Sequence, residues 1–389
     1  MEIVSNGVRL YVDDRGSGAP AVVFLHYWGG SSRTWRDVIT ALGGRYRTVA
    51  PDHRGWGRSG APADSKYALT DFANDAQQVI AALGLRRYVL VGHSMGGKIA
   101  QLVAARRPEG LAGLVLVAPS PPVPLALPPE ARSMMENAYL SHASVEATID
   151  HMLVAKPLTA ARRLQIVEDS LCGAPEAKAA WPRAASQEDI SGTVGAIDVP
   201  TLVIAGELDR VDSVPSLKAN LLPYIPHARL DVLPGTGHLS PLESPDELAG
   251  LIHRFVDSLA PAVTVTLAMK LKPEHFDEFA RGLPGLTAQT ATAPGARSVR
   301  VLRSDEDPHA LVFLEEWSSA QAFSEYMAWR KDRGDLEQLN LVLAGPAQIR
   351  VCSELTLAED TPGQEKLIAD KRVGVEAARR VIAGDRLRP

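Results

Sequence analysis

Over the first 260 residues, short runs of consecutive apolar residues alternate with stretches in which apolar residues recur every three or four positions. The runs at 21–25, 46–50, 88–91, 111–118, 201–205 and 228–233 predict strands, and the periodic stretches between them predict helices. Such alternation predicts an α/β architecture, a doubly wound and mostly parallel sheet with helices on both faces. The run at 8–13 is rich in β-branched and aromatic residues and predicts an antiparallel edge strand. Thr70 is placed to cap a helix with Phe72, Ala73, Ala76, Val79, Ile80 and Leu83 on one face, ended by Gly84. Ser244-Pro245-Asp246-Glu247 combines a capping serine, a proline at the first helical position and a glutamate three residues on, opening a helix to about Leu259.

Residues 119–200 break the alternation. They open on the proline-rich stretch 119–129 and then show helical spacing over roughly 130–190, with no strand pattern. Ligands of doubly wound sheets bind outside the carboxyl ends of the strands, and this insertion leaves from such an end. Residues 121–198 are therefore expected to form a helical lid, with Met134, Met135, Tyr139, Met152, Leu153 and Trp181 available to line an acyl pocket or to fill the lid's own core.

After Ala260-Pro261-Ala262 the character changes. Strand patterns at 263–271, 298–303, 310–317 and 347–355, with helical stretches at 273–290 and 319–339, give a β-α-β-β-α-β order that suits an α+β, ferredoxin-like domain over 261–356. The remainder, 357–389, is polar and amphipathic through Leu367, Ile368, Val375, Ala378 and Ile382, consistent with a helical tail or with an arm laid on a partner subunit.

The chemistry is concentrated at strand ends. Val89-Leu90-Val91 runs into Gly92-His93-Ser94-Met95-Gly96, a G-x-S-x-G sequence, and a helical pattern over 98–107 follows. In that arrangement a serine sits on a strained strand-to-helix turn with its hydroxyl clear of the backbone. A serine hydroxyl is a weak nucleophile at neutral pH, so it needs a base within hydrogen-bond reach and a third group to orient that base. Gly206-Glu207-Leu208-Asp209 follows the strand at 201, and Gly235-Thr236-Gly237-His238 follows the strand at 228. Ser94, Asp209 and His238 stand in the chain order of an α/β-hydrolase. Glu207 is the competing acid; Asp209 is preferred because it lies further beyond the strand end.

Composition narrows the setting. The chain has 389 residues, enough for two or three domains, with 46% hydrophobic and 22% charged residues and a net charge of -5. That balance argues against a nucleic-acid partner. No apolar run approaches the roughly 18 residues of a membrane span, so no membrane association is expected. Residues 1–9 lack a basic segment followed by a hydrophobic stretch, which predicts a cytoplasmic protein. The two cysteines, Cys172 and Cys352, have no Cys or His cluster beside them; they are expected to be reduced bystanders, and no metal or cofactor site is predicted.

Several motifs together give residues 1–260 a resemblance to the α/β-hydrolase superfamily, of the esterase, lactonase and cofactor-free haloperoxidase type. His26-Tyr27-Trp28-Gly29-Gly30 resembles the family's oxyanion loop. Asp52-His53-Arg54-Gly55-Trp56-Gly57-Arg58-Ser59 resembles its D-x-R-G-x-G-x-S turn, and Gly237-His238 with Glu243 and Pro245 resembles its histidine loop. The resemblance implies that the backbone N–H groups of Trp28 and Met95 hold an oxyanion. Tyr27 departs from the usual glycine, so its hydroxyl either helps to bind the carbonyl oxygen or its ring packs at the pocket mouth. His26 and His93 are expected to be structural, and Arg54 to tie loops together. Serine at 94 excludes the haloalkane dehalogenases and epoxide hydrolases, which need an aspartate nucleophile.

Residues 262–355 resemble the antibiotic biosynthesis monooxygenase fold, best at Ala310-Leu311-Val312-Phe313-Leu314-Glu315-Glu316-Trp317-Ser318 with Ala322 and Phe323. That resemblance implies dimerisation by sheet pairing. The histidine usual late in the second helix is absent; Tyr326, Trp329 and Arg330 occupy the region. The whole reads as a serine esterase or lactonase for a small to medium apolar or aromatic substrate, a homodimer through its C-terminal domain. The alternatives are a bifunctional tailoring enzyme with a cofactor-free oxygenase domain, or a C–C bond hydrolase or perhydrolase using the same three residues.

Overall fold

The computed structural model describes residues 1–259 and 262–353. The chain divides into two compact units, Met1–Ala260 and Pro261–Pro389.

In the first unit eight strands form one sheet: β1 (Glu2–Ser5), β2 (Val8–Arg15), β3 (Ala21–Leu25), β4 (Thr48–Pro51), β5 (Tyr88–His93), β6 (Leu111–Val117), β7 (Thr201–Gly206) and β8 (Arg229–Leu233). Their order is β1-β2-β4-β3-β5-β6-β7-β8, antiparallel at β1-β2 and β2-β4 and parallel from β4 onward. The central strands are apolar at nearly every position because both faces are covered. Val23, Leu25 and Leu90 face one core, with the helices Leu69–Ala82 and Met95–Ala105; Val22, Phe24, Val89 and Val91 face the other, with Arg36–Ala41 and Pro245–Ser258. This alternation is the two-residue period of a strand buried on both sides.

Local differences from expectation have physical causes. The run at 8–13 is not the edge: a strand of only four residues, β1, pairs outside it. Thr70 does not cap its helix. The helix begins at Leu69, where Asp71 accepts from the Ala68 N–H at 3.0 Å and Glu188 accepts from the Leu69 N–H at 2.9 Å, so acids rather than Thr70 satisfy the free donors. Ser244 does precede the helix Pro245–Ser258, but its hydroxyl makes no cap bond because it is engaged by Thr236 and Lys156. Between β6 and β7 lie the helices Pro129–Asn137, His142–Thr148, Ala160–Cys172, Pro175–Arg183 and Ser191–Val194, joined by short helical turns.

Arg54 ties the turn after β4 to the helix Leu69–Ala82. Its guanidinium forks onto Asp75 at 2.6 and 2.8 Å, with both side chains buried, and also donates to the Lys66 carbonyl. Asp52 serves the same turn from inside, accepting from the Ser32 N–H at 2.6 Å and the Arg58 N–H at 2.8 Å.

In the second unit β9 (Val263–Lys270), β10 (Ala296–Arg303), β11 (Ala310–Trp317) and β12 (Gln348–Ser353) form an antiparallel sheet in the order β10-β11-β9-β12. With the helices Pro273–Ala291, Ala320–Asp332 and Asp335–Val342 this is a ferredoxin-like α+β arrangement. The expected single helix over 319–339 is two, broken at Gly334, whose φ of 79° no helix accommodates. One sheet face carries the core residues Val265, Phe313 and Trp317. The opposite face presents Thr264, Thr266, Ala268, Val312 and Leu314, half-buried, and Leu302, exposed. Positions 354 and 355 of the last predicted strand and the 357–389 tail or arm lie outside the described residues. No helix among the described residues is long and apolar enough to cross a membrane, and Cys172 and Cys352 are free.

Removing one partner of a buried, forked ion pair strands the other charge. Asp75→Asn is expected to lower stability by about 3–5 kcal/mol, measured as a fall in the urea midpoint of the first unit's unfolding; a change within experimental error would show that Arg54 does not hold this turn.

Candidate active site

The site lies where the parallel strands end. β5 enters the helix Met95–Ala105 through Ser94, whose backbone sits at φ 53°, ψ -115°, a region sparsely populated by residues with a Cβ. Such strain costs of order 1–3 kcal/mol and persists only where the surroundings over-determine it. Here the Ser94 N–H donates to the Val117 carbonyl, and the Ser94 carbonyl accepts from the N–H groups of Gly97, Lys98 and Ser120. A Cβ at Gly96 would lie 2.5 Å from the Leu25 carbonyl oxygen, so the turn closes against β3 only without a side chain there.

His238 follows β8 and Asp209 follows β7, and both reach the serine. His238 Nε2 is 2.9 Å from Ser94 Oγ, and His238 Nδ1 is 2.9 Å from Asp209 Oδ2. The other Asp209 oxygen accepts from the Val211 and Asp212 N–H groups at 2.7 and 3.0 Å, which fixes the carboxylate. Glu207 instead accepts from the Gly235 N–H at 2.7 Å and takes no part in the His238 contact. Burial opposes charge on His238, but the Asp209 carboxylate outweighs it, aided by Glu243, and holds the imidazole above its ordinary pKa. Burial likewise opposes the Asp209 charge, and His238 with the two N–H donors overcomes it, holding the carboxyl below its ordinary range.

The surrounding histidines are scaffold. His93 Nε2 donates to the His238 carbonyl at 2.8 Å, joining β5 to the loop of the base. His26 donates from Nδ1 to the Tyr27 carbonyl and accepts at Nε2 from the His53 N–H. Burial lowers the pKa of His26 and His93 to about 3, so both stay neutral.

After β3, residues 26–30 wrap the site. Met95 opens its helix, so its N–H is one of the four without an intrahelical acceptor, and the Trp28 N–H makes no hydrogen bond among the described residues. The insertion grips this loop at three points that the sequence did not announce. The Tyr139 hydroxyl donates to the Trp28 carbonyl at 3.0 Å, the Ser170 hydroxyl donates to the Gly29 carbonyl at 3.0 Å, and the Trp28 indole donates to the Lys178 carbonyl at 3.1 Å. Gly29, at φ 94°, lets the Tyr139 ring lie against the loop: a Cβ there would stand 2.5 Å from it. Tyr27 is buried, its ring 5.2 Å from that of His93, and its hydroxyl lies toward Ser170 and Asp169. Tyr27 also lines the cavity above Ser94.

A cavity of about 650 Å³ opens above Ser94 and His238. Tyr27, Trp28, Met134, Tyr139 and Trp181 line it, as do Met135, Met152 and Leu153, so the insertion's apolar candidates converge on one space. Asp212 and Ser120 also line it; neither stood out in the sequence, where a polar residue in a loop has the look of a solvated one. Glu243 fastens the floor: its buried carboxylate accepts from the N–H groups of Ala155, Lys156 and Gly237 at 2.8, 3.0 and 3.0 Å. Among the described residues no group of three or more His, Cys, Asp or Glu side chains is placed to hold a metal.

Comparison with known proteins places the fold. The family model for the alpha/beta hydrolase fold matches residues 20–245, and that for antibiotic biosynthesis monooxygenase matches residues 262–331. A non-heme haloperoxidase of Rhodococcus erythropolis is 32% identical over 253 residues, 60% of this chain and 90% of that protein. A haloalkane dehalogenase 2 of Mycobacterium bovis is 29% identical over 276 residues, 64% of this chain and 91% of that protein. Among solved structures, a thermophilic esterase from Thermogutta terrifontis superposes with a TM-score of 0.58 at 25% identity, covering 67% of this chain and 98% of that one. With more than half of its length matched by the family model, the chain belongs to the α/β-hydrolase fold family.

Proposed function

We propose that the chain is a serine hydrolase that cleaves a carboxylic ester or lactone of a small to medium apolar or aromatic substrate through an acyl-enzyme. The observation that carries this is the unbroken line Ser94 Oγ, His238 Nε2, His238 Nδ1, Asp209 Oδ2, with both links at 2.9 Å, beneath a largely apolar cavity. His238 takes the Ser94 proton as Oγ attacks the substrate carbonyl, and Asp209 holds the resulting imidazolium. The oxyanion is received by the N–H groups of Trp28 and Met95. Collapse expels the alcohol, which receives the proton from His238; water then gives its proton to His238 and attacks the acyl carbon, and the acid leaves as Ser94 Oγ takes that proton back from His238. Displacement at a carbon–halogen bond, the chemistry named for one relative, needs a carboxylate nucleophile, and position 94 has a serine. The likeness to a non-heme haloperoxidase favours a second use of the same machinery, with hydrogen peroxide replacing water in the second step.

The helices of the insertion serve as a lid, since they supply most of the cavity's apolar wall. The second unit acts in assembly. Its polar interior groups are spent on one another: Trp317 Nε1 donates to Glu315, Arg330 Nε donates to the Tyr326 hydroxyl, and that hydroxyl meets Thr290. The sheet face that presents Ala268, Val312, Leu314 and Leu302 is the surface we assign to a second copy of the chain.

A p-nitrophenyl ester series from acetate to decanoate is expected to be hydrolysed by the wild type, with kcat falling about 10⁴- to 10⁶-fold in Ser94→Ala; a well-folded wild type inert on all of them, or a fully active variant, overturns the assignment. The pH profile of kcat/KM carries an independent check. His238 is a base only when neutral and its pKa is raised, so activity rises with pH through a midpoint above its ordinary value of 6.5. Asp209→Asn removes the charge that raises it, so the residual activity, about 10⁴-fold lower, titrates at a lower pH. Light scattering after size exclusion is expected to give twice the chain mass, reduced to one in Leu302→Arg; a monomeric wild type removes the assembly role.

A further inference from the structure

One buried ionisable group in the cavity is left unused by this chemistry. Asp212 lies three residues beyond Asp209 and is only 3% exposed, yet it lines the cavity together with Ser94 and His238. Its backbone N–H is committed to Asp209, but its carboxyl accepts no hydrogen bond and forms no ion pair among the described residues. The neighbouring cations are taken up elsewhere. Lys98 Nζ donates to the Val123 and Ser186 carbonyls, and Arg210, in the same loop, donates to the Asp150 and His151 carbonyls. A buried carboxyl without a partner costs free energy that folding recovers only if something else meets it. Here the open side of the group faces the space the substrate enters.

We propose that Asp212 is a specificity-determining residue that hydrogen-bonds a hydroxyl or carbonyl oxygen borne by the substrate a few bonds from the scissile carbonyl, selecting oxygen-substituted esters over plain hydrocarbon ones. This rests on the serine hydrolase assignment and adds to it the chemical class of substrate. The character of the group fits the task. Burial, together with the nearby Asp209 charge, pushes its pKa up to about 8 against the opposing pull of His238 and Lys98, so near neutral pH it carries a proton to donate and an oxygen to accept with. A neutral carboxylic acid in an apolar wall matches a neutral oxygen function better than an ammonium or carboxylate. The remainder of the wall, Met134, Tyr139, Leu153 and Trp181, takes the hydrocarbon.

The test compares two matched pairs of unactivated esters by acid release in a pH-stat at pH 7: methyl 3-hydroxyhexanoate against methyl hexanoate, with the oxygen on the acyl side, and 2-hydroxyethyl butyrate against propyl butyrate, with it on the alcohol side. The wild type is expected to favour the hydroxylated member of one pair by about tenfold in kcat/KM, the order of one buried hydrogen bond. Asp212→Asn, which still donates and accepts, retains most of that ratio, and Asp212→Val abolishes it. No preference in either pair, a preference that survives in Asp212→Val, or an equal loss of kcat on all four esters in both variants overturns the proposal, the last because it makes Asp212 an electrostatic support of His238. Failure of the wild type on all four, with p-nitrophenyl esters also inert, removes the hydrolase assignment itself, an outcome distinct from hydrolysis without selection.

Discussion

The strained backbone at Ser94 is the constraint around which the first unit is organised. A serine at φ 53° is held there by its own N–H, which donates to the Val117 carbonyl, and by three acceptances at its carbonyl, from Gly97, Lys98 and Ser120. Each partner belongs to a different commitment: Val117 requires β6 to lie beside β5, Gly97 and Lys98 require the helix to start at once, and Ser120 requires the chain to turn sharply where the insertion leaves. The close contact of Gly96 with β3 adds the third strand. The sheet order and the placement of the Ser94 hydroxyl are thus one arrangement seen from two sides.

How much of this was legible depends on whether a residue's environment follows from its neighbours in sequence. β5, β6 and β7 were readable because burial on both faces makes them uninterrupted apolar runs. β1, four residues with two exposed, carries too little signal, and the break at Gly334 is hidden by helical spacing on both sides of it. Ser94, Asp209 and His238 were legible because each follows a recognisable strand; the structure brings them within hydrogen-bond reach, and their catalytic roles are our proposal. Ser170 and Lys178 were not, because their partners lie more than a hundred residues away, and Asp212 was not, because nothing in a polar letter says that it is buried. Thr70 and Ser244 show the converse, residues with the right local signature whose work is done by Asp71 and Glu188 in one case and diverted to Lys156 and Thr236 in the other.

The histidines illustrate how one residue type is divided between uses by environment. His26, His53 and His93 are buried without a carboxylate partner strong enough to charge them, and each spends its ring on backbone groups. His238 is equally buried but faces Asp209, and that single difference leaves it basic.

The Glu243 carboxylate, meeting the N–H groups of Ala155, Lys156 and Gly237, joins the insertion to the loop of His238, much as Tyr139 and Ser170 join it to the loop of Trp28. The insertion is therefore not a cover that can be exchanged as a separate module to obtain a new pocket. A graft that altered residues 139 or 170, or moved the backbone at 155, would change the wall and disturb the two loops beneath it together, whereas Met134 and Met152 line the space without bracing the loops.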